Sequence, residues 1–315
     1  MTETAPSAAA PASTPAGPAL VAVDWGTSNR RIFTLDADGS VLDRHSDDHG
    51  ILNCTDFRAE VAAIRARAGG APVLMAGMIG SNRGWVEVPY VAAPAGLAAI
   101  AAGIKWIEPG VGIVPGVAYH DGLAADVMRG EEVQIVGALA LGLIGDGLAA
   151  HPGTHGKWVE VVDHHIARFR TVMTGDIFAA LKAKSILSDL LVHEAGTGDA
   201  FVAGVDHGLA QTDLTAELFT VRARVLLGAA RAEDAASYVS GLLIGSEVRT
   251  GLGRLRADIV PVIGTPELTE RLAIALGRAS RTALIVDGET VFIAGIRAIA
   301  DAAAKAADAA PGAAT

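Results

Sequence analysis

The sequence contains a segment whose residue types could bind phosphate, directly after an apolar run. Residues 24–29 follow the apolar residues 20–23 and combine the carboxylate of Asp24 with Gly26, Thr27 and Asn29. A glycine lets the backbone approach an anion, hydroxyl and amide groups donate to phosphate, and a carboxylate at a strand end can hold hydrated magnesium. The same residue types are typical of an ordinary hairpin turn, so this segment alone leaves both interpretations open.

Two further segments carry related chemistry. Residues 152–158 contain Gly153, Thr154 and Lys157, a composition that again suits phosphate. Residues 129–132 place Glu131 and Glu132 at a predicted helix start, where one carboxylate could accept the proton of an attacking hydroxyl in phosphoryl transfer. We favour Glu131; the alternative is that both glutamates only complement the helix dipole. The sequence has neither a P-loop motif nor a dinucleotide-binding glycine motif.

These segments must be positioned by strands and helices that occur in two similar series. The first series has strands over residues 20–23, 31–35 and from 41, a helix over 55–68, strands over 72–76 and 113–117, and a helix over 131–143. The second has strands over 158–162 and 166–171, helices over 198–208, 214–227 and 233–251, a strand over 259–263, a helix over 266–278, a strand over 283–286 and a helix over 290–307.

A glycine-containing break over residues 145–152 separates the two series. We therefore predict a first domain over residues 19–145 and a second over 146–300. Residues 1–18, rich in Ala, Pro, Ser and Thr, are predicted to be a disordered tail, and residues 301–315 a frayed alanine-rich tail.

Composition excludes several classes of protein. The 315 residues are 51% hydrophobic, but no stretch supplies the roughly 20 consecutive apolar residues of a membrane span. The net charge of -10 disfavours a nucleic-acid partner. The one cysteine, Cys54, cannot form an internal disulfide, and is read as a small buried residue rather than a catalytic thiol. Because the first residues also lack the pattern of a signal peptide, we expect a cytoplasmic protein.

A phosphate loop at the start of each half is the layout of the actin, hexokinase and heat-shock-protein ATPase superfamily, which this sequence resembles. The resemblance implies two similar ribonuclease-H-like α/β domains, each a mixed sheet with flanking helices, around a hinged cleft. It also implies that Gly264 and Thr265 lie at an adenosine subsite and that the last helix, entered through Gly295, lies at the hinge. The superfamily keeps its catalytic base at the position of Glu131.

Longer segments resemble one family within that superfamily. The signature segments of the 2-dehydro-3-deoxygalactonokinase family are similar to residues 75–85, 127–132, 152–158, 169–175, 240–248 and 294–297. The resemblance extends from about Val21 to Ala300. It implies transfer of the ATP γ-phosphate, with Mg²⁺, to the C6 hydroxyl of 2-dehydro-3-deoxy-D-galactonate in galactonate or galactose catabolism.

The resemblance also implies roles for individual residues. The metal and phosphates are assigned to Asp24, which would hold Mg²⁺ through water, and to Gly26, Thr27, Asn29, Arg31, Gly153, Thr154 and Lys157. A keto acid brings a carboxylate, which suits the planar guanidinium of arginine. The candidates for the sugar-acid pocket are Arg129, Arg170, Ser81, Asn82 and Trp85, with packing as the alternative role for Trp85.

The histidines and the rival functions complete the expectations. His151 and His155 lie four residues apart and could suggest a metal site, but we favour loop or turn histidines because no third ligand is evident. The rivals are a kinase for another sugar or sugar acid, such as the gluconate epimer, and a non-catalytic sugar-sensing regulator. A chaperone or filament ATPase would need more chain than 315 residues. A homodimer is compatible with the sequence.

Overall fold

A computed structural model describes residues 17–253 and 257–309 of the chain as a mixed α/β protein. Its strands are β1 (Leu20–Trp25), β2 (Arg30–Leu35), β3 (Val41–Asp47), β4 (Val73–Gly77), β5 (Val91–Ala92), β6 (Lys105–Glu108), β7 (Val111–Ile113), β8 (Val117–Asp121), β9 (Ala124–Met128), β10 (Gly147–His151), β11 (Gly156–Val162), β12 (His165–Val172), β13 (Ile259–Gly264) and β14 (Thr282–Asp287).

The helices flank these strands. They are α1 (Phe57–Arg67), α2 (Leu97–Ala102), α3 (Glu131–Ala140), α4 (Thr174–Lys184), α5 (Asp199–Ala210), α6 (Leu214–Leu226), α7 (Ala235–Leu252), α8 (Pro266–Arg278) and α9 (Gly288–Ala309). Short 3-10 turns occur at Met78–Gly80, Ser188–Leu190 and Ala232–Asp234. None of the helices in the described ranges is long and apolar enough to cross a bilayer.

The two large sheets repeat one topology. The first has the order β3-β2-β1-β4-β7-β6 and the second the order β12-β11-β10-β13-β14. In each, three antiparallel strands form a meander, and the first strand of that meander also pairs in parallel with a later strand. The third sheet, β5-β8-β9, belongs to the first half. The duplicated arrangement inferred from the sequence is therefore present in the strand order.

The predicted break over residues 145–152 is wrong, because β10 occupies it. Glycine and alanine have low strand propensity, so Gly147, Ala149 and Ala150 gave no strand signal, although Ala149 and Ala150 are buried. As a result, residues 152–155 lie between the first two strands of their meander, as residues 26–29 do in the first half.

Other elements differ from the predicted ones for local reasons. The single strand predicted over residues 113–117 is divided between β7 and β8, with Pro115, which has no N–H, between them. The helices α2 and α4 were not predicted; α4 has no buried residue and therefore little apolar periodicity. Helix α9 continues to Ala309, so residues 301–309 of the predicted frayed tail are helical. The remainder of both predicted tails, residues 1–16 and 310–315, lies outside the described ranges.

Helices α3 and α9 lie in a core shared by both sheets. Phe33 of the first sheet, Val159 of the second, Ile135 of α3 and Phe292 of α9 belong to one buried cluster. The two helices approach at the level of their backbones, because a Cβ added at Gly295 would overlap the carbonyl group of Val133. A similar overlap would follow a Cβ at Gly137, on the facing side of α3. The close crossing places the start of α3 between the two sheets.

Candidate active site

Asp24 lies near the end of β1 and is held by its neighbouring strand. It pairs in register with Arg31 of β2, whose Nε lies 3.2 Å from Asp24 Oδ2 and whose Nη2 donates to the same oxygen. On the other side, β1 runs parallel to β4, which ends at Gly77 with φ of 94°. A Cβ at Gly77 would lie 2.8 Å from Trp25 O and 3.5 Å from Asp24 Oδ1. Glycine therefore lets β4 end beside the carboxylate, whose side chain is 21% exposed.

The loop after β1 is fixed by its backbone and leaves its side chains free for a ligand. Gly26 N–H donates to Asn29 O over 2.9 Å, and the carbonyl oxygens of Gly26 and Thr27 accept from Ile51 and Leu52 over 3.0 and 3.2 Å. Within the described ranges, the exposed side chains of Thr27 and Asn29 have no hydrogen-bond partner. This arrangement suits a phosphate loop, since rigid backbone presents uncommitted donors.

Helix α3 begins next to the end of β4. Gly130, with φ of 110°, precedes it, and a Cβ there would lie 3.4 Å from Gly77 Cα. The two following glutamates both cap the helix: Glu131 Oε2 accepts from Arg129 N–H over 3.0 Å, and Glu132 Oε2 accepts from Gly130 N–H over 2.7 Å. Glu131 and Glu132 thus make similar hydrogen bonds but differ in exposure.

Glu132 is fully buried, whereas the side chain of Glu131 is 21% exposed. Burial, together with the neighbouring charge of Glu131, raises the pKa of Glu132 to about 8. The second oxygen of Glu132, Oε1, has no partner within the described ranges. A neutral, enclosed Glu132 therefore leaves Glu131 as the carboxylate of this pair that a substrate can reach.

The second predicted phosphate loop leads into a strand that meets α3. Lys157 of β11 is 6% exposed, and its Nζ lies 3.7 Å from Glu131 Oε1. Residues 152–155, which include Gly153, precede β11, and Asp176 N–H of α4 donates to Thr154 O over 3.1 Å. The first turn of α4 thus supports this loop. The structure brings Asp24, Glu131 and Lys157 into one region: Gly77 lies beside both Asp24 and the start of α3, and Lys157 Nζ lies close to Glu131 in the first turn of that helix.

Gly264 and Thr265 lie where β13 passes into α8. Gly264 contacts the second loop, since a Cβ there would lie 3.7 Å from Pro152 Cγ. The exposed Thr265 precedes α8 and makes no side-chain capping bond. A cavity of about 400 Å³ opens between the second loop, α7 and α8. Its polar lining includes Gly153, Thr174, Ser240, Glu247, Arg271 and Lys182.

Glu247 lines that cavity from α7. It is 3% exposed, and its Oε1 accepts from Trp158 Nε1–H over 3.2 Å. Burial raises the pKa of Glu247 to about 6. Gly264 does not line this cavity but a neighbouring one of about 580 Å³ between α8 and β14.

The predicted sugar-acid loop has mixed properties. Ser81 is 8% exposed and its hydroxyl is committed to the loop itself, donating to Met78 O over 2.7 Å and accepting from Arg83 N–H over 3.2 Å. Asn82 is exposed, and its side chain has no partner in the described part of the chain. The half-buried Trp85 packs against the core on the α1 side of the first sheet. Asn82 is therefore the freest of the three polar or aromatic candidates.

Arg129 lies against this loop with unused hydrogen-bond donors. Its Nη2 donates to Val88 O over 2.8 Å, and its guanidinium lies 4.3 Å from the ring centroid of Tyr90. The buried Nε and Nη1 have no partner among residues 17–253 and 257–309. A Cβ at Gly80 would lie 2.9 Å from Nη1. Buried donors without partners are costly, so this guanidinium is suited to an anionic ligand.

Arg170 is not brought to the same place. It is exposed on β12 opposite Trp158, whereas Thr171 lies opposite Lys157. Trp158 packs against Gly251 of α7. Because successive strand residues point to opposite faces, Arg170 lies on the α7 face of the sheet and Lys157 on the face towards Glu131.

Two side chains lie at the junction of the halves: Gln134, which the sequence did not single out, and His151, for which the sequence favoured a loop or turn position. His151 is the last residue of β10, and its Nε2 is hydrogen-bonded to Oε1 of Gln134 on α3. Gln134 Nε2 donates to Gly288 O over 3.0 Å. Burial lowers the pKa of His151. The residues described contain no group of three His, Cys, Asp or Glu that could hold a metal. Because the sequence did not predict β10, it could not place His151 at the end of a strand.

Comparison with known proteins identifies the family of this chain. A family model described as 2-keto-3-deoxy-galactonokinase matches residues 24–299. The 2-dehydro-3-deoxygalactonokinase of Escherichia coli (strain K12) is 38% identical over 290 residues, covering 90% of this chain and 98% of that protein. A probable 2-dehydro-3-deoxygalactonokinase of Rhizobium meliloti (strain 1021) is 36% identical over 299 residues, covering 89% and 96%.

Solved structures give the same result. The crystal structure of a putative 2-dehydro-3-deoxygalactonokinase from Sinorhizobium meliloti has a TM-score of 0.84 at 34% identity, covering 90% of this chain and 98% of that one. Component A of (R)-2-hydroxyglutaryl-CoA dehydratase from Acidaminococcus fermentans, at 12% identity and a TM-score of 0.50, shares the fold alone. The predicted kinase family and α/β fold class are confirmed. The chain is a carbohydrate kinase with a mixed α/β fold, and it belongs to the 2-keto-3-deoxy-galactonokinase family.

Proposed function

We propose that this kinase transfers the γ-phosphate of ATP to the C6 hydroxyl of 2-dehydro-3-deoxy-D-galactonate, giving the 6-phosphate in galactonate or galactose catabolism. The observation that carries the proposal is the meeting of Glu131 and Lys157, whose Oε1 and Nζ lie 3.7 Å apart. The carboxylate comes from the first half and the ammonium group from β11 of the second, next to the candidate phosphate loop. A base and a phosphate-binding cation at one point are what phosphoryl transfer to a hydroxyl requires.

In the proposed reaction, Glu131 orients the C6 hydroxyl and takes its proton as the oxygen attacks the γ-phosphorus. A new oxygen–phosphorus bond forms, the bond to the β-phosphate oxygen breaks, and ADP leaves with the electron pair. Lys157 offsets the negative charge of the transferred group. Closure of the two halves over the cleft would exclude water and so limit ATP hydrolysis.

Asp24 fits the role of a magnesium-binding carboxylate. Its Oδ2 is held by Arg31, while the side chain keeps 21% exposure at the strand end. Magnesium retains several waters and takes one or two carboxylates together with substrate phosphates, so one fixed, accessible carboxylate is an adequate donor set. When bound, the ion would neutralise charge on the ATP phosphates. Arg31 would keep the Asp24 carboxylate oriented towards it.

The nucleotide would lie between the two loops. We assign its phosphates to Gly26, Thr27 and Asn29 of the first loop and to Gly153 and Thr154 of the second. The base and ribose would occupy the region beside Gly264 and Thr265. The cavity of about 400 Å³ supports the phosphate assignment, because Gly153 lines it, and the cavity of about 580 Å³ supports the adenosine assignment, because Gly264 lines it.

The sugar acid would lie beside Glu131 on the side of the first half. We assign its carboxylate to Arg129, because Nε and Nη1 are buried donors without partners in the described structure. Ser81, Asn82 and Trp85 would surround the remainder of the molecule. Ser81 would contribute mainly through its backbone and shape, because its hydroxyl is already committed to the loop.

A substrate panel tests the proposal. Purified protein with MgATP is expected to release ADP and form the 6-phosphate with 2-dehydro-3-deoxy-galactonate, as measured by a coupled ADP assay and mass spectrometry. The gluconate epimer and other sugar acids form the comparison arms. Preference for the gluconate epimer would move the substrate assignment, and no turnover of either epimer would contradict it. The proposal includes cytoplasmic location and homodimer formation, the latter measurable by light scattering.

A further inference from the structure

Two residues of α3 face two residues of the second sheet as a matched set. Glu131 and Gln134 are three positions apart and therefore lie on one face of the helix. Glu131 faces Lys157, and Gln134 is bonded to His151. His151 and Lys157 are themselves cross-strand partners in the β10–β11 register. The four side chains thus form a compact array that joins the two halves.

Hydrogen-bond chemistry fixes the direction of each bond at Gln134. A carbonyl oxygen can only accept, so the group that contacts Gly288 O at 3.0 Å must be the amide nitrogen of Gln134. The amide oxygen then faces His151, and Nε2 of the histidine must carry the proton and donate. Burial lowers the pKa of His151 and so favours the neutral ring. The amide of Gln134 thus donates to Gly288 O and accepts from His151 Nε2–H.

Gln134 connects α3 to two separate parts of the second half. Through His151 it contacts the strand that leads into the second phosphate loop. Through Gly288 it contacts the junction of β13, β14 and α9, since a Cβ at Gly288 would lie 3.1 Å from Gln134 Nε2 and 3.3 Å from Gly264 Cα. One side chain therefore relates the start of α3 to both segments that are assigned to the nucleotide.

The internal repeat shows that this array replaces a different pair in the first half. There the last cross-strand pair on the face towards the shared core is Asp24 and Arg31, a carboxylate and a guanidinium bonded to each other; the final pair, Trp25 and Arg30, lies on the other face. In the second half, the corresponding pair is His151 and Lys157. The histidine bonds to α3 and leaves the lysine directed at Glu131. The second half thus presents a net positive pair where the first presents a neutral one.

We propose that Gln134 and His151 are positioning residues for phosphoryl transfer, whose hydrogen bond sets the spacing between Glu131 and Lys157. The proposal rests on the assignment of Glu131 as the base. Displacing a reacting group by about 1 Å can cost on the order of a hundredfold in rate. The pair would therefore act on turnover more than on substrate affinity.

The test measures kcat and KM for Gln134→Ala, His151→Ala and the double variant. Each single variant is expected to lose about 10- to 100-fold in kcat, with KM values changed less than about threefold. The double variant should lose no more than the worse single variant, because the two residues act through one bond. His151→Gln, which restores an N–H donor towards Gln134, should recover most of the lost kcat.

His207→Ala is the matched control. His207 Nδ1 is bonded to Tyr238 Oη over 2.5 Å, and its Nε2 lies 2.7 Å from Glu217, so this histidine also joins helices through partly buried bonds but outside the candidate site. It should lower the melting temperature and leave kcat unchanged. Unchanged kcat in the Gln134 and His151 variants, or multiplicative losses in the double variant, would overturn the proposal.

Failure of the proposal is distinguishable from failure of the proposed base. If Glu131→Gln keeps near-normal turnover, Glu131 is not the base and the positioning role falls with it. If Glu131→Gln is inactive while the alanine variants remain fully active, only the positioning role is wrong. Should the alanine variants not fold, His151→Gln and His151→Asn decide: a folded His151→Asn, whose shorter amide cannot reach Gln134, must show the loss in kcat that His151→Gln does not.

Discussion

At the scale of single residues, burial separates two adjacent glutamates that the sequence presents as equals. Both cap the first turn of α3, but Glu132 is fully enclosed while Glu131 faces Lys157 with part of its carboxylate exposed. Chemical identity and helix position therefore do not decide which carboxylate can serve as a base. The depth of each side chain in the core does, and depth depends on packing between distant segments.

Replacing Glu131 by glutamine should abolish proton acceptance and preserve shape. We expect kcat to fall by about a hundredfold or more, because general base catalysis contributes about 10²–10⁴. The affinity for ATP should change little, as measured by calorimetry. Steady-state assays of ADP release give the rate, and turnover close to that of the unmodified protein would place the base elsewhere.

The raised pKa of Glu132, about 8, makes stability depend on pH. The folded state binds the Glu132 proton more tightly than the unfolded state, in which the pKa of this carboxyl has its ordinary value of 4.5. Protonation of Glu132 therefore contributes fully to the free energy of unfolding below about pH 4.5, and this contribution is lost as the pH rises towards 8.

We expect Glu132→Gln, which stays neutral and can still accept from Gly130 N–H, to weaken that dependence. Thermal unfolding at pH 5 and pH 8.5 measures this pH dependence. Between the two pH values, the melting temperature of the unmodified protein should fall by several degrees more than that of the variant. Equal losses in both proteins would show that Glu132 does not titrate in this range.

The two candidate arginines can be distinguished by one comparison. Arg129→Lys removes the planar pair of donors but keeps the charge, so we expect KM for the sugar acid to rise about tenfold or more, equivalent to about 1.4 kcal/mol. Arg170→Lys is the matched control, with a change of about twofold or less because surface substitutions usually lie within ±0.5 kcal/mol. Larger effects at Arg170 than at Arg129 would reverse the assignment.

At the scale of elements, those with a marked apolar pattern could be predicted and those without one could not. The strong apolar periodicity of α8 and the flanking signals of α5 and α6 gave boundaries within a few residues of those observed. In contrast, β10 is built from small residues and α4 buries none of its residues. Both elements are stabilised by contacts with neighbouring segments of the fold, and their own residues carry no pattern that predicts them.

The crossing of α3 and α9 predicts a sharp difference between two glycines. Gly295→Ala would place a methyl group against the backbone of Val133, so we expect a loss of about 2 kcal/mol or more in the free energy of unfolding. Gly277→Ala, on the exposed end of α8 with open space around it, should gain about 0.5–1 kcal/mol. Urea unfolding measures both changes, and a neutral Gly295→Ala would contradict the close crossing.

At the scale of the whole molecule, the sequence singled out candidate residues that the structure brings together, but it did not show how the halves meet. Asp24, Glu131 and Lys157 belong to motifs, so motif spacing could single them out. The contacts of Gln134 with His151 and Gly288 connect residues 17 and 154 positions apart. Such pairs leave no periodic signal, and only the packed fold shows them.

Other contacts also join the two halves. Asp126 of β9 accepts from both the backbone N–H and the hydroxyl of Thr171, with the N–H bond at 2.6 Å, and Ala95 exchanges two backbone hydrogen bonds with Ile166. Any closure must therefore rotate the halves about this connected side.

We expect the radius of gyration to decrease when MgATP and the sugar acid bind together. Small-angle X-ray scattering on Glu131→Gln measures this without turnover, and each ligand alone provides the control. A radius that is the same in all four states would contradict domain closure.

The positions of the tryptophans have a spectroscopic consequence. Trp25 follows Asp24 directly, Trp158 follows Lys157, and Trp85 lies in the loop beside Arg129, whereas Trp106 is on the exposed edge strand β6. Trp25 and Trp158 are almost completely enclosed. Three of the four tryptophans thus adjoin segments assigned to the metal, the phosphates and the sugar acid, while the rings of Trp25 and Trp158 pack on the faces of their sheets opposite to Asp24 and Lys157. We expect tryptophan fluorescence to change when a ligand binds near these residues. Measured after rapid mixing, this change would separate ligand binding from the chemical step without an added label.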